Sequence, residues 1–411
     1  MRMESPRRVL LLVPGVTYRA ADFLAAATRL GVEVVIGSDG ALPLGLHPVI
    51  HVDPDDLPRS IARVLDTAGH LDAVVAADTP MLVVAAAIAE RIGVRHNAIG
   101  AVQAAMDKAV QRQQWAATGV PQPAFQVLPT AANAEAVLRA VASVGFPCVI
   151  KAVSLSGSRG VLRADTQAVA MAAAQRIRRV LRDAGRPDSE PLLVEAYIPG
   201  QEISIDALLD DGAATVVAVF DKPDMPDGPT FEETMLISPP QLPETTLAAA
   251  VSVAERAAQA LGLRYGPIHA ELRIDVRDRE VRPTMLEVAA RSIGGLCSRT
   301  LRFADDRSLE ELVLLNAMGV PVRPEQTNGT AGVFMLPVER AGVLKAIEGR
   351  DEACAIPGIT GLSITIPLGQ IVHPLPEGDR YLGFLFATGE TREEVIGALR
   401  AARKRLRVVI Q

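Results

Sequence analysis

The sequence predicts an α/β protein whose N-terminal part is a doubly wound parallel sheet and whose remainder is rich in antiparallel strands. Over the first hundred residues, short apolar strands alternate with helices, the pattern of a parallel sheet covered on both faces. After residue 190, strands follow one another closely, and Asp210-Asp211-Gly212 has the composition of a hairpin turn. A strand-rich segment from about residue 331, closed by a helix, is expected to complete the chain.

Apolar periodicity, together with glycine and proline stops, places the individual elements. In the N-terminal part we predict strands at 9–13, 32–36 and 73–76 and helices at 20–30, 57–68 and 80–92. In the remainder we predict helices at 101–117, 133–144, 168–184, 245–261, 309–318 and 391–406, strands at 125–128, 146–151, 192–197, 202–209 and 214–220, a strand beginning at 160, and a long loop at 221–240.

The carboxyl ends of the first strands are candidate ligand sites, because ligands of parallel sheets bind beyond these ends. The loops there carry Pro14-Gly15-Val16-Thr17, Gly37-Ser38 and Asp78-Thr79-Pro80. The fingerprint GxGxxG of dinucleotide-binding folds is absent after the first strand. A dehydrogenase on this sheet, which is one alternative class, therefore lacks its main sequence signature.

The composition indicates a globular protein of several domains. The 411 residues exceed one hydrophobic core, so about two to four domains or subdomains are expected. A net charge of −6 gives no support for a nucleic-acid or membrane partner, and three cysteines without a CxxC pair indicate neither zinc nor disulfides. No apolar run reaches the roughly 18 residues of a membrane span, and the run at 9–13 is too short for a signal peptide. We therefore expect a cytoplasmic protein.

Two apolar strand segments between residues 269 and 291 are the part of the sequence that is most informative about function. A hairpin centred near Arg279 places Glu271 opposite Glu287, and cross-strand neighbours lie roughly 5 Å apart. Two carboxylates that close repel each other unless a cation lies between them, and paired carboxylates are usual Mg²⁺ ligands in nucleotide enzymes. The alternative is two solvated carboxylates at a sheet edge. Arg291, on the same strand face as Glu287, favours chemistry on phosphate or carboxylate groups.

A small-residue loop follows Lys151, which ends an apolar strand. Its sequence, Ser154-Leu155-Ser156-Gly157-Ser158-Arg159-Gly160, allows backbone N–H groups to approach phosphate oxygens. This is not a Walker A loop, because no Gly-Lys-Ser/Thr closes it and a strand follows it. We predict a flexible β-hairpin lid over phosphates; the alternative is a plain connection. A lysine that ends a buried strand needs a partner, which favours the lid.

Two further segments are candidate nucleotide contacts. Lys108 lies on the predicted 101–117 helix, where a solvated lysine is the alternative interpretation. Glu195 and Glu202 flank Tyr197-Ile198-Pro199-Gly200. A strand that breaks at Pro-Gly exposes its backbone N–H and C=O groups, and adenine needs one hydrogen-bond donor and one acceptor of that kind.

These segments occur in an order that resembles the ATP-grasp superfamily, and the resemblance covers roughly the whole chain. The residues from Arg291 to Gly295 and from Arg380 to Gly389 are most similar to carboxylate–amine ligases that join L-amino acids into dipeptides. The matching segments are Asp107-Lys108, Gly119-Val120-Pro121-Gln122-Pro123, Val149-Ile150-Lys151, Ser156-Gly157-Ser158-Arg159-Gly160-Val161, Val194-Glu195-Ala196-Tyr197-Ile198-Pro199-Gly200-Gln201-Glu202, His269-Ala270-Glu271 and Glu287-Val288-Ala289-Ala290-Arg291-Ser292-Ile293-Gly294-Gly295.

The resemblance implies an ATP-grasp architecture, in which two α+β lobes enclose ATP behind an N-terminal doubly wound domain. The implied domains are residues 1–104, the nucleotide-binding and catalytic region 105–330 with a lid subdomain at about 121–193, and a C-terminal α+β subdomain at 331–411. The resemblance implies that Lys108 and Lys151 bind the ATP phosphates and that Ser156, Gly157, Ser158 and Gly160 cover them. It implies adenine contacts from the backbone of Glu195, Ala196 and Ile198 and a ribose contact from Glu202. Two Mg²⁺ or Mn²⁺ ions on Glu271 and Glu287 and an acyl-phosphate contact by Arg291 complete the implied roles.

One position departs from the family pattern. Ala289 stands where the family often has an asparagine that contacts metal or phosphate, and the hairpin register places it opposite His269. His269 or water can fill the gap, and the alternative for His269 is a packed, hydrogen-bonded imidazole. Gly294 and Gly295 are expected to leave open space beside Arg291 for a larger substrate.

The reaction implied by the resemblance is ATP-dependent amide formation. A carboxylate attacks the γ-phosphate to give an acyl phosphate and ADP, and an amine then attacks the acyl carbon, with Lys151, His269 and Arg291 as catalytic residues. Asp221, Glu232 and Glu233 are candidates to deprotonate the amine, and Glu233 is also a candidate substrate contact; ordinary loop carboxylates are the alternative.

Two alternatives to this ligase remain open. One is another ATP-grasp enzyme, either a bicarbonate-dependent carboxylase or a purine-pathway ligase. The other is an ATP-binding module without turnover, which Ala289 keeps open. The expected partners are a small carboxylate and a small amine. Neither nucleic acid nor membrane is an expected partner, and a homodimer is the one protein assembly considered.

Overall fold

A four-stranded parallel sheet, covered on both faces, forms the N-terminal part. The computed structural model describes residues 6–40, 48–130, 133–224, 227–277, 280–327 and 329–411. The sheet order is β3-β2-β1-β4, and alternate residues of β1 pack against α1 on one face and against α2 and α3 on the other, which confirms the doubly wound prediction. The elements are β1 (Arg8–Val13), α1 (Ala20–Leu30), β2 (Glu33–Ser38), β3 (Val49–His51), α2 (Leu57–Thr67), β4 (Ala73–Ala76) and α3 (Leu82–Ile92), with a 3-10 turn at Thr79–Met81.

The single helix predicted at 101–117 is wrong. Two helices, α4 (Ile99–Met106) and α5 (Lys108–Thr118), meet at Asp107, whose extended backbone ends the first helix. The Asp107 carboxylate accepts hydrogen bonds from the backbone N–H groups of Ala109 (2.8 Å) and Val110 (3.0 Å), so it caps the second helix. Lys108 therefore begins a helix, and its side chain projects from the helix end rather than from a solvated face.

A separate antiparallel sheet with two helices forms the lid. Its strand order is β5-β8-β6-β7, and the β6–β7 pair places residues 154–160 at the hairpin end, as predicted. The two helices pack on one face of this sheet around a buried cluster of their own. The elements are β5 (Phe125–Leu128), α6 (Ala134–Val144), β6 (Cys148–Ala152), β7 (Val161–Ala164), α7 (Gln167–Asp183) and β8 (Leu192–Ala196).

An eight-stranded sheet is the centre of the molecule. Its order is β13-β12-β9-β10-β11-β14-β18-β16, and all its neighbouring strands are antiparallel. The strand β11 lies inside the predicted 221–240 loop, which is therefore not a loop throughout. The elements up to residue 317 are β9 (Gln201–Asp210), β10 (Ala213–Asp221), β11 (Met235–Ser238), α8 (Glu244–Ala260), β12 (Gly266–Arg277), β13 (Glu280–Ala289) and α9 (Leu309–Ala317), with 3-10 turns at Cys297–Thr300 and Ala304–Asp306.

The C-terminal segment extends the central sheet and adds a small one. Strands β14, β18 and β16 belong to the eight-stranded sheet, whereas β17, β15 and β19 form a three-stranded sheet. The chain ends in a strand after its last helix, which the sequence prediction missed. The bounds predicted for the three domains stay a proposal. The elements are β14 (Thr330–Leu336), β15 (Gly342–Glu348), α10 (Arg350–Cys354), β16 (Ile359–Ile364), β17 (Ile371–Val372), β18 (Gly383–Gly389), α11 (Arg392–Arg405) and β19 (Arg407–Ile410).

No helix in the described ranges has the length and apolar character needed to cross a bilayer.

Candidate functional site

One cavity of about 270 Å³ lies where the N-terminal domain, the lid and the central sheet meet. The predicted binding and catalytic residues line it except Gly160 and the candidate bases Asp221 and Glu232. The Gly160 N–H instead donates to the carbonyl of Pro376 (3.1 Å). The lining includes Lys108, Lys151, Ser156, Gly157, Ser158, Glu195, Ala196, Ile198, Glu202, Glu233, His269, Glu271, Glu287, Arg291, Gly294 and Gly295.

The two hairpin carboxylates face each other as predicted. Glu271 pairs with Glu287 in the β12–β13 register, and His269 pairs with Ala289. The turn residues 278 and 279 lie outside the described residues. Burial raises the pKa of Glu271, but the Lys222 ammonium, His269 and Arg291 together hold that pKa well below its usual range. Glu271 is therefore an ionised oxygen donor, which is the form that binds a divalent cation.

A buried lysine that the sequence prediction missed lies beside this carboxylate pair. The Nζ atom of Lys222 contacts Glu202 (2.7 Å), Glu233 and Glu271 (3.5 Å). Burial lowers the pKa of Lys222, but the three carboxylates outweigh it and raise the pKa well above its usual value. These carboxylates lie close enough together to hold a metal ion. Glu271 belongs both to this group and to the Glu271–Glu287 pair, and Lys108 lies 3.1 Å from Glu287.

Asp206 joins the metal side of the cavity to the segment after β13. Its carboxylate lies 3.0 Å from Nδ1 of His269 and accepts the backbone N–H of Ile293 (2.7 Å). Burial lowers the pKa of His269, but Asp206 outweighs it and the pKa rises to about 9. The imidazole is then protonated at neutral pH, with Nε2 lying 3.5 Å from Glu271. A protonated His269 cannot act as a base, but it can hold Glu271 in place.

Lys151, which was predicted to end a buried strand and to need a partner, is paired with Glu195. Its Nζ lies 2.7 Å from one oxygen of Glu195, and Arg112 Nε donates to the other oxygen (2.7 Å). Burial raises the pKa of Glu195, but Arg112 and Lys151 outweigh it, so the pKa falls below its usual value. The Glu195 side chain is therefore committed to the two cations, and its backbone lies in a strand that pairs with Phe125 on one side and Val149 on the other.

Lys108 contacts the lid loop, and a helix of the lid contacts the C-terminal segment. Lys108 Nζ donates to the carbonyl of Leu155 (2.6 Å) and lies 3.1 Å from Glu287. On the outside, Arg176 of α7 donates to both oxygens of Glu377 (2.7 and 2.8 Å). The same lysine that is predicted to bind phosphate thus joins the lid to the acidic hairpin.

Residues 154–160 are expected to exchange their amide hydrogens quickly without nucleotide and slowly with a non-hydrolysable ATP analogue. The physical reason is that a loop of small residues makes few apolar contacts, so its local opening costs little until a ligand fills the space beneath it. Hydrogen exchange read by mass spectrometry measures this, with buried β1 as the internal control. Equal protection of the loop in both states would contradict a lid over the nucleotide.

The segment between the lid and the central sheet has a free backbone donor. The Ala196 N–H donates to the Ala124 carbonyl (2.8 Å), and the Ile198 carbonyl accepts from Arg273 (2.8 Å). In the described part of the chain, the Ile198 N–H has no hydrogen-bond partner. This donor fits the predicted adenine contact. Both oxygens of Glu202 are paired, with Lys222 (2.7 Å) and Arg273 (3.0 Å), so ribose binding by Glu202 stays a prediction.

Arg291 lies just beyond β13 and reaches the N-terminal domain. Its Nε donates to Thr79 Oγ1 (3.1 Å) and lies 3.8 Å from Asp78, while Nη1 donates to the Ser292 carbonyl (2.9 Å). Asp78 and Tyr18 line the cavity too. The sequence analysis placed Asp78 in a candidate ligand loop and gave Tyr18 no role. The available signal was the position of Asp78 at the carboxyl end of β4.

The two glycines after Arg291 differ from the prediction of open space. A Cβ atom at Gly294 would meet the Arg291 guanidinium at 3.7 Å, so a methyl group has room there but takes space beside the guanidinium. Gly295 has φ +64°, and its Cβ would lie 2.6 Å from the Phe384 ring. Gly295 is therefore required by packing and backbone conformation, and not by open space.

The three candidate bases are in different surroundings. Asp221 is fully buried and paired with Arg392 (2.6 Å), away from the cavity. Glu232 does not line the cavity, although burial raises its pKa to about 7. Only Glu233 lines the cavity, and it contacts Lys222. The structure thus leaves Glu233 as the one candidate of the three that can reach a substrate.

Two family models match the chain. The ATP-grasp domain matches residues 144–300, and the L-amino acid ligase C-terminal domain 2 matches residues 334–411. The chain is 30% identical to a D-alanine–D-alanine ligase of Gloeobacter violaceus over 69% of its own length and 85% of the relative's. It is 25% identical to an alanine–anticapsin ligase of Bacillus subtilis over 58% of its length and 52% of that relative's. The fold matches the crystal structure of an L-amino acid ligase from Bacillus licheniformis with a TM-score of 0.79 and 24% identity, over 99% of this chain and all of that one.

Proposed function

Because this chain belongs to the ATP-grasp family of ligases, we propose that it couples cleavage of ATP to ADP with formation of an amide bond between two amino acids. The observation that carries the proposal is the convergence of a facing carboxylate pair, a buried ammonium and an arginine in one cavity. Glu271 and Glu287 face each other there, with Lys222 on one side and Arg291 beyond. The similarity to ligases that act on amino acids supports the same conclusion.

ATP is proposed to lie between the lid and the central sheet. The Ile198 N–H and neighbouring backbone receive adenine, while Lys108 and Lys151 bind phosphate oxygens under the loop that includes Ser156, Gly157 and Ser158. Lys151 is already held by Glu195, whose other carboxylate oxygen accepts a hydrogen bond from Arg112. The lysine therefore needs little reorganisation when the nucleotide binds.

Glu271 and Glu287 are proposed to hold divalent ions, Mg²⁺ or Mn²⁺. The residues fit, because two carboxylates that face each other supply the hard oxygen ligands that such ions require. Of the two, Glu271 has its pKa held well below the usual range. When bound, the ions neutralise charge on the transferring phosphoryl group. Ala289 supplies no polar ligand, and His269, opposite it, lies 3.5 Å from Glu271, so it is placed to hold that carboxylate.

The chemistry is proposed to run through an acyl phosphate. The carboxylate of the first amino acid attacks the γ-phosphorus, the bond to the β-phosphate oxygen breaks, and ADP leaves. The amine of the second amino acid then attacks the acyl carbon, and phosphate leaves with its oxygen electrons. Arg291 first orients the carboxylate and then stabilises the oxyanion that forms during amine attack. Glu233, the acid in reach of the cavity, is placed to accept the amine's proton.

A phosphate-release screen over pairs of amino acids, with product mass as the second readout, tests the proposal. Phosphate is expected only when a carboxylate and an amine are both present, with a product equal to their sum minus water. Release that depends on bicarbonate would indicate a carboxylase instead, and tight ATP binding without ADP formation under every mixture would indicate a binding module.

ATP use also favours a cytoplasmic location, and dimerisation is testable on the same sample by light scattering.

A further inference from the structure

The part of the cavity beyond Arg291 has an apolar wall. We define this wall by Tyr18, Leu236, Cys297, Met335 and Tyr381, all of which line the cavity. They come from the N-terminal domain, the central sheet and the C-terminal segment. The inference drawn from this wall rests on the proposed function.

The members of the wall contact one another through a common core. Leu236, Cys297 and Met335 belong to one buried hydrophobic cluster with Phe384, and Cys297 Sγ lies 3.8 Å from Met335 Sδ. The rings of Tyr18 and Tyr381 lie 5.9 and 6.2 Å from that of Phe384. The wall is therefore continuous and fixed by packing.

The placement of aromatic side chains is unusual for this sequence. The whole chain has four tyrosines, and three of them, Tyr18, Tyr197 and Tyr381, line this one cavity. Two of the three are in the apolar wall, and the third lies on the lid side. Tyrosine rings supply a large contact area at low conformational cost, which is useful where a ligand side chain must be held.

None of the five wall residues is acidic, a lysine or an arginine, whereas Asp78, Glu233 and Arg291 line other parts of the same cavity. Arg380 also lines the cavity, but its guanidinium pairs with Asp379 at 3.4 Å. A charged ligand group against the wall itself would lose its hydration without gaining a partner.

We infer that this recess binds the acyl-donor amino acid and selects an apolar side chain. The α-carboxylate lies at Arg291, the α-ammonium reaches Asp78, and the side chain rests on the apolar wall, which leaves Glu233 for the amine of the second amino acid. The donor's carboxyl group forms the amide bond, so the donor is the N-terminal residue of the product dipeptide.

The test uses the full-length protein with ATP, Mg²⁺ and each proteinogenic amino acid as donor, and it sequences the dipeptides by tandem mass spectrometry. Donors with aliphatic, methionine or aromatic side chains are expected to exceed aspartate, glutamate, lysine and arginine by at least about 100-fold in kcat/KM, because a buried unpaired charge is far more costly than a missing methylene. A charged residue as the preferred N-terminal residue would overturn the inference while leaving the ligase intact. No amide product with any pair would overturn the proposed function instead.

Tyr18→Arg tests the wall directly, because Tyr18 is 38% exposed on a loop and the change should not prevent folding. The variant is expected to lower the ratio of apolar to acidic donors at least tenfold. Val16→Arg is the matched control, since Val16 is on the same loop, 82% exposed and outside the cavity. Equal selectivity in Tyr18→Arg, Val16→Arg and the unchanged protein would overturn the apolar subsite.

Discussion

Replacing Arg291 by lysine is expected to lower kcat by about 10²-fold or more while ATP affinity changes little. An arginine can bridge two oxygens with a fixed fork of N–H donors, whereas a lysine offers a single point charge. Loss of one oxyanion donor costs about this much in other acyl-transfer enzymes. Arg291 contacts Thr79 and the Ser292 carbonyl but no predicted nucleotide ligand. Steady-state kinetics of phosphate release, together with nucleotide titration, separate the two effects.

The control for this substitution is Arg182→Lys, because Arg182 is an exposed arginine of the lid paired with Asp188 (2.8 Å). It is expected to behave like the unchanged protein. A variant of Arg291 that weakened ATP binding and kept its kcat would make Arg291 a nucleotide ligand and contradict the mechanism. A phosphinate analogue of the tetrahedral intermediate should in turn bind far more tightly than either amino acid.

The second large effect is expected from Glu287→Gln, which should reduce ADP formation by at least about 10²-fold. The amide keeps the shape of the side chain but removes the charge that a divalent ion and the Lys108 ammonium both use, and a metal's charge stabilisation is worth several kcal/mol. The fold should survive, because the side chain is partly exposed at a strand surface.

Activity measured against Mn²⁺ concentration checks the metal assignment. The variant's remaining activity should need more Mn²⁺ for half-maximal rate, and Glu348→Gln, an exposed glutamate outside the cavity, should leave the curve in place. Normal turnover and an unshifted curve in Glu287→Gln would contradict a metal site on the hairpin.

The acidic hairpin was predictable from the sequence because a strand has a fixed side-chain period of two. A connection centred near Arg279 predicts the pairing of Glu271 with Glu287 and of His269 with Ala289, and both pairs are present. The bulge between Glu271 and Leu272, which sets this register, was not predicted. The alternation of strands and helices likewise predicts the parallel sheet, since each element is long enough to show its own period.

The features that were missed depend on contacts between distant residues. Lys222 stands at the start of a predicted loop that also contains its partner Glu233, and its partners Glu202 and Glu271 come from two other strands. The close approach of Gly295 to Phe384 joins residues 89 positions apart. Nothing in the local pattern indicates either contact, because both arise only when the central sheet assembles.

The break at Asp107 had a local signal that helix propensity concealed. Good helix formers flank Asp107, so the pattern predicts one long helix. Aspartate is also a favoured N-cap residue, so the other possibility was a second helix that begins at Lys108. The structure has this second helix. The change matters for function, since it places Lys108 at a helix end, between the lid and Glu287.

Transfer of an oxygen from the donor carboxylate to phosphate is the most direct test of the proposed ligase. The donor amino acid is labelled with ¹⁸O in both carboxylate oxygens, turned over with ATP and an amine, and the released phosphate is analysed by mass spectrometry. An acyl phosphate predicts one ¹⁸O atom in the orthophosphate for each amide bond, with ADP as the nucleotide product. Unlabelled orthophosphate, or label recovered in AMP, would contradict the acyl phosphate and with it the mechanism proposed for Arg291.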